Sequence, residues 1–164
     1  MVRRLVEMHS GTVEAHSDGP GRGSEFVIRL PALATAAGRP AARVDRVLVV
    51  DDNHDVAEAL TLDLDGLARE IKTVNSGAAA VEAAERWRPD LILCGLGMPI
   101  MDGYETSRRL RQLPGLDGVV IAAVSGYGEE EDRQKSRAAG FDRYLVKPIN
   151  RETLQELVKS AARS

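Results

Sequence analysis

The sequence predicts an α/β protein, a doubly wound five-stranded parallel sheet with a small N-terminal appendage. From residue 46 onward, five short apolar runs alternate with five stretches whose residues follow helical patterns. Most of these runs are continuously apolar, which is typical of strands buried on both faces of a parallel sheet. Right-handed crossovers between such strands make helices on both faces the simplest solution.

Each strand is predicted from a short run of apolar or β-branched residues. The first, third and fourth runs are apolar throughout, whereas the second and fifth runs include charged residues and are weaker signals. The predicted strands are Val47–Val50, Ile71–Val74, Leu91–Cys94, Val119–Val124 and Asp142–Val146.

The stretches that follow these runs are predicted to be helices. Apolar residues of the first one recur at helical spacing, and the second is rich in alanine. Pro114 and Gly115 close the third helix, and Gly140 is the predicted cap after the fourth. The predicted helices are Asp55–Leu67, Gly77–Trp87, Tyr104–Leu113, Glu129–Ala139 and Arg151–Ala162.

The N-terminal part of the chain has a different pattern. Val2–His9 is predicted to be the end of an amphipathic helix, followed by strands Thr12–His16 and Ser24–Leu30 around a Gly-rich turn. About 30 residues of helix and hairpin bury too little apolar surface to be stable alone. Residues 32–45, rich in alanine with Gly and Pro, have the composition of a linker.

Composition excludes several classes of function. The formal net charge is −3, which gives no basic footprint for nucleic acid and no reason to expect an acidic membrane as partner. No apolar run approaches the roughly 18 residues of a membrane helix, and the N-terminus lacks a secretory signal. The single cysteine, Cys94, excludes an internal disulfide and is predicted to be a small buried hydrophobe. A cytoplasmic location is expected.

Polar residues follow three of the predicted strands, where open α/β sheets keep their ligand crevices. Asp51 and Asp52 follow the first strand, Ser125 the fourth and Lys147 the fifth. Paired carboxylates suit Mg²⁺, and a lysine with a hydroxyl suits a phosphoryl group. Simpler roles stay open for each residue: Asp52 or Asn53 as a helix N-cap, Ser125 as a turn residue, Lys147 as a solvated charge.

Residues 46–162 resemble a response-regulator receiver domain of two-component signalling. The motifs that carry the resemblance are Val49-Val50-Asp51-Asp52-Asn53, Pro89–Cys94, Met98–Gly103, Ser125-Gly126 and Lys147-Pro148. The resemblance implies the flavodoxin-like receiver fold. It also implies that the position of Gly95 is that of the aspartate which takes a phosphoryl group from a histidine kinase.

The same resemblance implies roles for the surrounding residues. Asp51, Asp52 and the backbone carbonyl of Gly97 would hold Mg²⁺. Ser125 and Lys147 would contact the phosphoryl oxygens. Tyr144 occupies the position of an aromatic residue that changes rotamer on activation in this family.

The N-terminal part is similar to the last segment of a histidine-kinase ATP-binding domain, on residues 2–13 and 21–26. The motifs of that domain that bind metal and adenine would lie before Met1, so no ATP binding is expected. The predicted division is a kinase remnant at 1–31, a linker at 32–45 and a receiver domain at 46–164. This order is that of a hybrid histidine kinase cut within its catalytic domain, either as an expression fragment or as a gene remnant.

Gly95 has no nucleophile, so phosphorylation at this position is chemically impossible. Loss of the third carboxylate weakens the expected Mg²⁺ affinity and removes like-charge repulsion. Lys147 loses its expected partner and is predicted to turn to Asp51 or Asp52. The Gly95-Leu96-Gly97 segment is predicted to open the loop or to adopt positive φ.

Three functions remain open from the sequence. The first is a degenerate receiver that is not an enzyme and signals by binding a histidine kinase or another signalling protein. Its expected contact surface is Glu129–Ala139, the Tyr144 strand and Arg151–Ala162. The second is an ordinary phosphoacceptor receiver with an engineered or recent Asp-to-Gly substitution, and the third is a small-ligand-binding pseudo-receiver. A homodimer through the N-terminal hairpin is a further hypothesis.

Overall fold

The computed structural model describes residues 12–16, 25–29, 44–128 and 130–162. Contacts divide the chain into two units, residues 1–39 and 40–164. In the smaller unit, β1 (Thr12–His16) pairs antiparallel with β2 (Glu25–Arg29), with Thr12 opposite Arg29. Both predicted hairpin strands are therefore confirmed. The predicted helix Val2–His9, the turn and residues 32–43 of the predicted linker lie outside the described residues.

The larger unit is a parallel five-stranded sheet in the order β4-β3-β5-β6-β7. Its strands are β3 (Val44–Val50), β4 (Ala68–Val74), β5 (Leu91–Gly95), β6 (Val120–Ser125) and β7 (Arg143–Val146). The helices of the described residues are α1 (His54–Leu64), α2 (Gly77–Trp87), α3 (Gly103–Gln112), α4 (Glu130–Ala138) and α5 (Arg151–Ala161). The predicted fold class is confirmed. Because β3 begins at Val44, the last two residues of the predicted linker belong to the sheet.

Apolar side chains pack on both faces of the sheet, as a doubly wound fold requires. Successive residues of β3 show this division, because Val47 and Val49 contact the layer of α1 and α5. Leu48 and Val50 contact the opposite layer, which α2 and α3 build. No helix in the described part of the chain is long and apolar enough to cross a membrane.

The end of α1 differs from the prediction. The helix ends at Leu64 rather than Leu67, and β4 begins three residues earlier than predicted. Asp65 leaves the helical conformation with ψ 130°, and Gly66 follows it in the turn with φ +76°, which favours glycine. Leu67 nevertheless stays buried, because its N–H donates to the Leu64 carbonyl in a tight turn. The helical spacing of apolar residues in the sequence therefore extends to Leu67, beyond the last residue of α1.

The loop from β5 to α3 is held by a close backbone approach at Gly103. A Cβ at this position would lie 2.4 Å from the Gly95 carbonyl oxygen and 2.8 Å from the Leu96 Cα. The Gly103 N–H donates to the Leu96 carbonyl at 2.9 Å, and Asp102 caps α3 by accepting from the Glu105 N–H. Only glycine allows this approach, which places the N-terminus of α3 beside the end of β5.

Ile100 lies in the same loop and carries backbone strain. Its φ is +69°, its side chain is fully exposed, and the Met101 N–H donates to the Pro99 carbonyl around it. This is a strained γ-turn, which a β-branched residue adopts at a cost of about 1–2 kcal/mol.

We expect Ile100→Gly to raise the free energy of unfolding by about 1 kcal/mol, measured by urea denaturation. Ile100→Val keeps the β-branch and should change nothing; equal stability of both variants would contradict the assignment of strain.

Candidate functional site

The carboxyl ends of four strands bring the predicted site residues together. Asp51 and Asp52 follow β3, and Gly95 and Ser125 are the last residues of β5 and β6. Lys147 follows β7. All five line one cleft of about 450 Å³, which Gly97 also lines. The fold thus assembles every residue of the predicted constellation except Tyr144, which lies in β7 outside this lining.

Asp51 is the buried acid of the cleft, and both of its carboxylate oxygens are engaged. Oδ1 accepts a hydrogen bond from the Asn53 N–H at 3.0 Å. Oδ2 accepts from the Lys147 ammonium at 2.9 Å, and the Asp51 side chain is only 5% exposed. Lys147 has therefore turned to one of the two partners expected from the sequence.

Asp52 and Asn53 have different roles at the start of α1. The Asn53 side chain accepts from the Asp55 and Val56 N–H groups, so Asn53 is the N-cap of the helix. Asp52 lies exposed at the cleft, and it is not the residue that caps α1. Its carboxylate therefore faces water and any cation that enters the cleft.

Gly95 forms the floor of the cleft and is an ordinary strand residue. It pairs with Val124 in the sheet, and neither Gly95 nor Gly97 has positive φ. The Leu96 N–H donates to the Val124 carbonyl at 3.2 Å. The expectation that the Gly95–Gly97 segment opens or adopts positive φ was wrong, because sheet pairing continues through Gly95.

A side chain can be accommodated at Gly95. An added Cβ would lie 3.2 Å from Asp51 Oδ2 and 3.4 Å from the Val50 carbonyl oxygen. The first distance is tight, but Asp51 lies beside the open cleft, where a shift of a few tenths of an ångström relieves it. Neither the backbone conformation nor the packing therefore requires glycine here.

Ser125 and Tyr144 are linked through Tyr127 in the loop after β6. The Tyr127 N–H donates to the Ser125 hydroxyl oxygen at 3.1 Å, so Ser125 has the turn role that the sequence left open. Its hydroxyl hydrogen can still donate to another group. The Tyr144 hydroxyl donates to the Tyr127 carbonyl at 2.6 Å, and the Arg133 guanidinium lies 5.1 Å from the Tyr144 ring centre.

Besides Asn53, three further polar side chains line the cleft that were not predicted from the sequence: Tyr104, Tyr127 and Asp132. The Tyr104 hydroxyl donates to an Asp132 oxygen at 3.2 Å. Burial raises the pKa of Tyr104 above its ordinary value, and the Asp132 charge adds to this. Because Tyr127 follows Ser125 by two residues, its position at the cleft could have been predicted from the sequence.

Cys94 precedes Gly95 and takes no part in the cleft. Its side chain is fully buried, which confirms the predicted small buried hydrophobe. Burial, with smaller contributions from Asp51 and Asp102, raises the pKa of the Cys94 thiol to about 12. The thiol therefore stays protonated at neutral pH.

The remaining donor set is limited for a hard divalent cation. Mg²⁺ favours carboxylate and carbonyl oxygens completed by water. Among the described residues, no cluster of three or more His, Cys, Asp or Glu side chains is placed to hold a metal ion. Asp52 and Gly97 line the cleft where such a cation would enter, and the Lys147 ammonium already occupies one oxygen of Asp51.

Comparisons with known proteins agree on one family. Residues 47–159 match the family model of the response regulator receiver domain. An uncharacterized 14.6 kDa protein of Leptolyngbya boryana is 34% identical, over 69% of this chain and 86% of that protein. The virulence sensor protein BvgS of Bordetella bronchiseptica is 31% identical over 98% of this chain, which spans only 14% of BvgS.

A solved structure shows the same fold with a metal bound. The receiver domain of the sensor histidine kinase PA1611 from Pseudomonas aeruginosa PAO1 has a TM-score of 0.68 and 31% identity. The match covers 73% of this chain and 98% of that one. That structure holds a magnesium ion in its active site cleft.

Proposed function

This chain belongs to the response regulator receiver family, and from that premise we propose that it signals by binding other proteins without being phosphorylated. Receiver domains are in general signalling modules rather than enzymes, and we assign no turnover to this one. The observation that carries the proposal is Gly95 at the floor of the cleft. A glycine there offers no side-chain oxygen to attack phosphorus.

The ion pair at the cleft supports the same proposal. Lys147, the predicted phosphoryl contact, is already bonded to Asp51. Because Asp51 is buried, separating the two would leave a charge without its partner. The pair therefore gives the cleft a stable arrangement that needs no phosphoryl group.

Mg²⁺ binding is proposed to be weaker than in receivers with the full site. Asp51, Asp52 and the Gly97 carbonyl would hold the ion, which would supply positive charge toward phosphoryl oxygens. Lys147 competes for Asp51, and the third carboxylate is missing at Gly95. Each effect lowers the affinity for the cation.

The proposed partner is a histidine kinase or another signalling protein. BvgS, a sensor protein, aligns with almost the whole chain, which supports a hybrid-kinase order of kinase remnant 1–31, linker 32–45 and receiver 46–164. We assign partner contact to the face of α4, β7 and α5. No nucleic acid and no membrane is included among the partners, given the net charge of −3.

A second candidate function is a phosphoacceptor receiver that has lost its aspartate by a single substitution. The intact surroundings favour it, because Asp51, Asp52, Ser125 and Lys147 all still line the cleft. The space for a side chain at Gly95 favours it as well. Under this reading, the unmodified chain is still unable to take phosphate at that position.

Intact mass spectrometry tests the proposal. The chain is incubated with Mg²⁺ and phosphoramidate, beside an ordinary receiver domain as the positive control. We expect the control to gain the mass of one phosphoryl group and this chain to gain none. An acid-stable, base-labile phosphoryl group on the unmodified chain would refute the proposal.

A further inference from the structure

We propose that a basic groove between α4 and β7 binds an acidic, carboxylate-rich segment of a partner protein. The groove has a volume of about 300 Å³ and is lined by Arg133 and Arg137 of α4 and by Arg143 of β7. The proposal rests on the proposed function and deepens it, because it names the chemistry of the partner.

The three arginines line the groove from two elements, α4 and β7. Arg133 and Arg137 are four residues apart and therefore lie on one side of α4. The contact of Arg133 with the Tyr144 ring, at 5.1 Å, fixes its guanidinium at the groove. Arg143 donates to the Asp142 backbone carbonyl at 2.9 Å. The Tyr144 ring and the Asp142 carbonyl carry no formal charge, so they orient Arg133 and Arg143 without neutralising them.

The acid that lines the groove is already engaged. The Asp142 carboxylate accepts from Arg111 and, at 2.8 Å, from the Ile121 N–H. Among the ion pairs of the described residues, none joins a carboxylate to the three groove arginines. Lys135 on the same helix, in contrast, pairs with Glu131 at 2.7 Å. The groove therefore keeps an excess of positive charge.

The arrangement suits several carboxylates on one segment. Guanidinium groups bind carboxylates in a bidentate manner, which a lysine cannot do. The three arginines are distributed along a helix and a strand. This distribution suits successive acidic side chains of one peptide better than one small anion. A short acidic segment stays within the basic groove, whereas a nucleic acid extends beyond it and is repelled by a chain whose net charge is −3.

Fluorescence anisotropy of a labelled oligo-glutamate peptide tests the groove on the full chain. We expect binding that weakens as NaCl is added. The double variant Arg137→Glu/Arg143→Glu should weaken it at least about tenfold, because two attractive contacts become repulsive. Both side chains are exposed, and the milder pair Arg137→Ala/Arg143→Ala should weaken binding in the same direction.

A matched control is Arg69→Glu/Arg86→Glu, which makes the same change in net charge. Arg69 lies in β4, at the sheet edge opposite β7, and both control side chains are highly exposed. The control should bind the peptide as the unmodified chain does. Equal weakening by both glutamate pairs, or no binding by the unmodified chain, would overturn the proposal.

A second copy of the chain is the other candidate occupant of the groove. Sedimentation without peptide tests whether the chain associates with itself. Self-association that Arg137→Glu/Arg143→Glu abolishes would assign the groove to a dimer and overturn the proposal. The phosphoryl mass measurement reports separately on the proposed function. If the chain takes no phosphoryl group and also binds no acidic peptide, the proposal for the groove is refuted and the proposed function is not.

Discussion

Gly95→Asp is expected to turn this chain into a phosphoacceptor. With Mg²⁺ and phosphoramidate, the new carboxylate oxygen would attack phosphorus, the P–N bond would break and ammonia would leave. Asp51, Asp52, Ser125 and Lys147 already line the cleft around the new side chain. The expected result is a mass increase of one phosphoryl group, absent without Mg²⁺, with the acid stability and base lability of an acyl phosphate.

Phosphorylation of the Gly95→Asp variant depends on the Lys147 ammonium exchanging Asp51 for a new partner. An aspartate Cβ would lie 3.2 Å from Asp51 Oδ2, so its carboxylate comes close to Asp51 and competes for the ammonium. The extra negative charge should lower the free energy of unfolding by about 1 kcal/mol without Mg²⁺, and the metal should restore it. Thermal unfolding with and without Mg²⁺ measures this difference.

Two controls separate the nucleophile from the added volume. Gly95→Ala makes the same Cβ contact without a carboxylate, and Gly95→Asn adds the shape without the charge. Neither should gain a phosphoryl group, and neither should be stabilised by Mg²⁺ more than the unmodified chain. A phosphoryl group on the Ala variant, or none on a folded Asp variant that binds Mg²⁺, would contradict the role assigned to position 95.

The order of elements was predictable because a parallel sheet leaves a strong trace in the sequence. Helix Gly77–Trp87 was predicted with its observed bounds from its alanine-rich run, and the structure shows Ser76 and Arg88 as its caps. Strands β5 and β6 were each predicted within one residue from their apolar runs. The early start of β4 was missed because an edge strand with exposed charged residues lacks such a run.

The site was predictable in its members and only partly in its contacts. Strand ends place Asp51 and Lys147 at the same edge of the sheet, but β5 and β6 lie between β3 and β7, so their contact also requires the long lysine side chain to reach across the cleft. The conformation of Gly95 could not be predicted, because glycine is permissive and pairing with Val124 decides its φ. The contact of the Tyr144 hydroxyl with the Tyr127 carbonyl depends on loop geometry that no spacing reveals.

Replacing Arg111 is expected to cause a large loss of stability. Its Nε donates to the Gly140 carbonyl and its Nη1 to the Val119 carbonyl, both at 2.9 Å. Its Nη2 bonds the Asp142 carboxylate, which also accepts from the Ile121 N–H. One side chain at the end of α3 thus connects the turn after α4 with the starts of β6 and β7.

Arg111→Met keeps most of the aliphatic stem and removes these bonds. Because the Arg111 side chain is only 26% exposed, its partners lose their donors in a partly dehydrated place. The free energy of unfolding should fall by about 2–3 kcal/mol, with a fall in melting temperature of about 5–10 °C. Urea and thermal denaturation of the full chain measure both. Arg111→Lys should recover less than half of the loss, because an ammonium cannot reach three separate acceptors in the geometry of the guanidinium fork.

Arg108→Met is the matched control on the same helix. Arg108 pairs with Glu105 at 3.3 Å in an exposed position, where a surface ion pair contributes at most about 0.5 kcal/mol. Its loss should therefore leave the melting temperature nearly unchanged. If Arg111→Met were as stable as Arg108→Met, the three bonds of Arg111 would not stabilise the sheet. The stability of this edge would then come from apolar packing by Phe141 and Leu145.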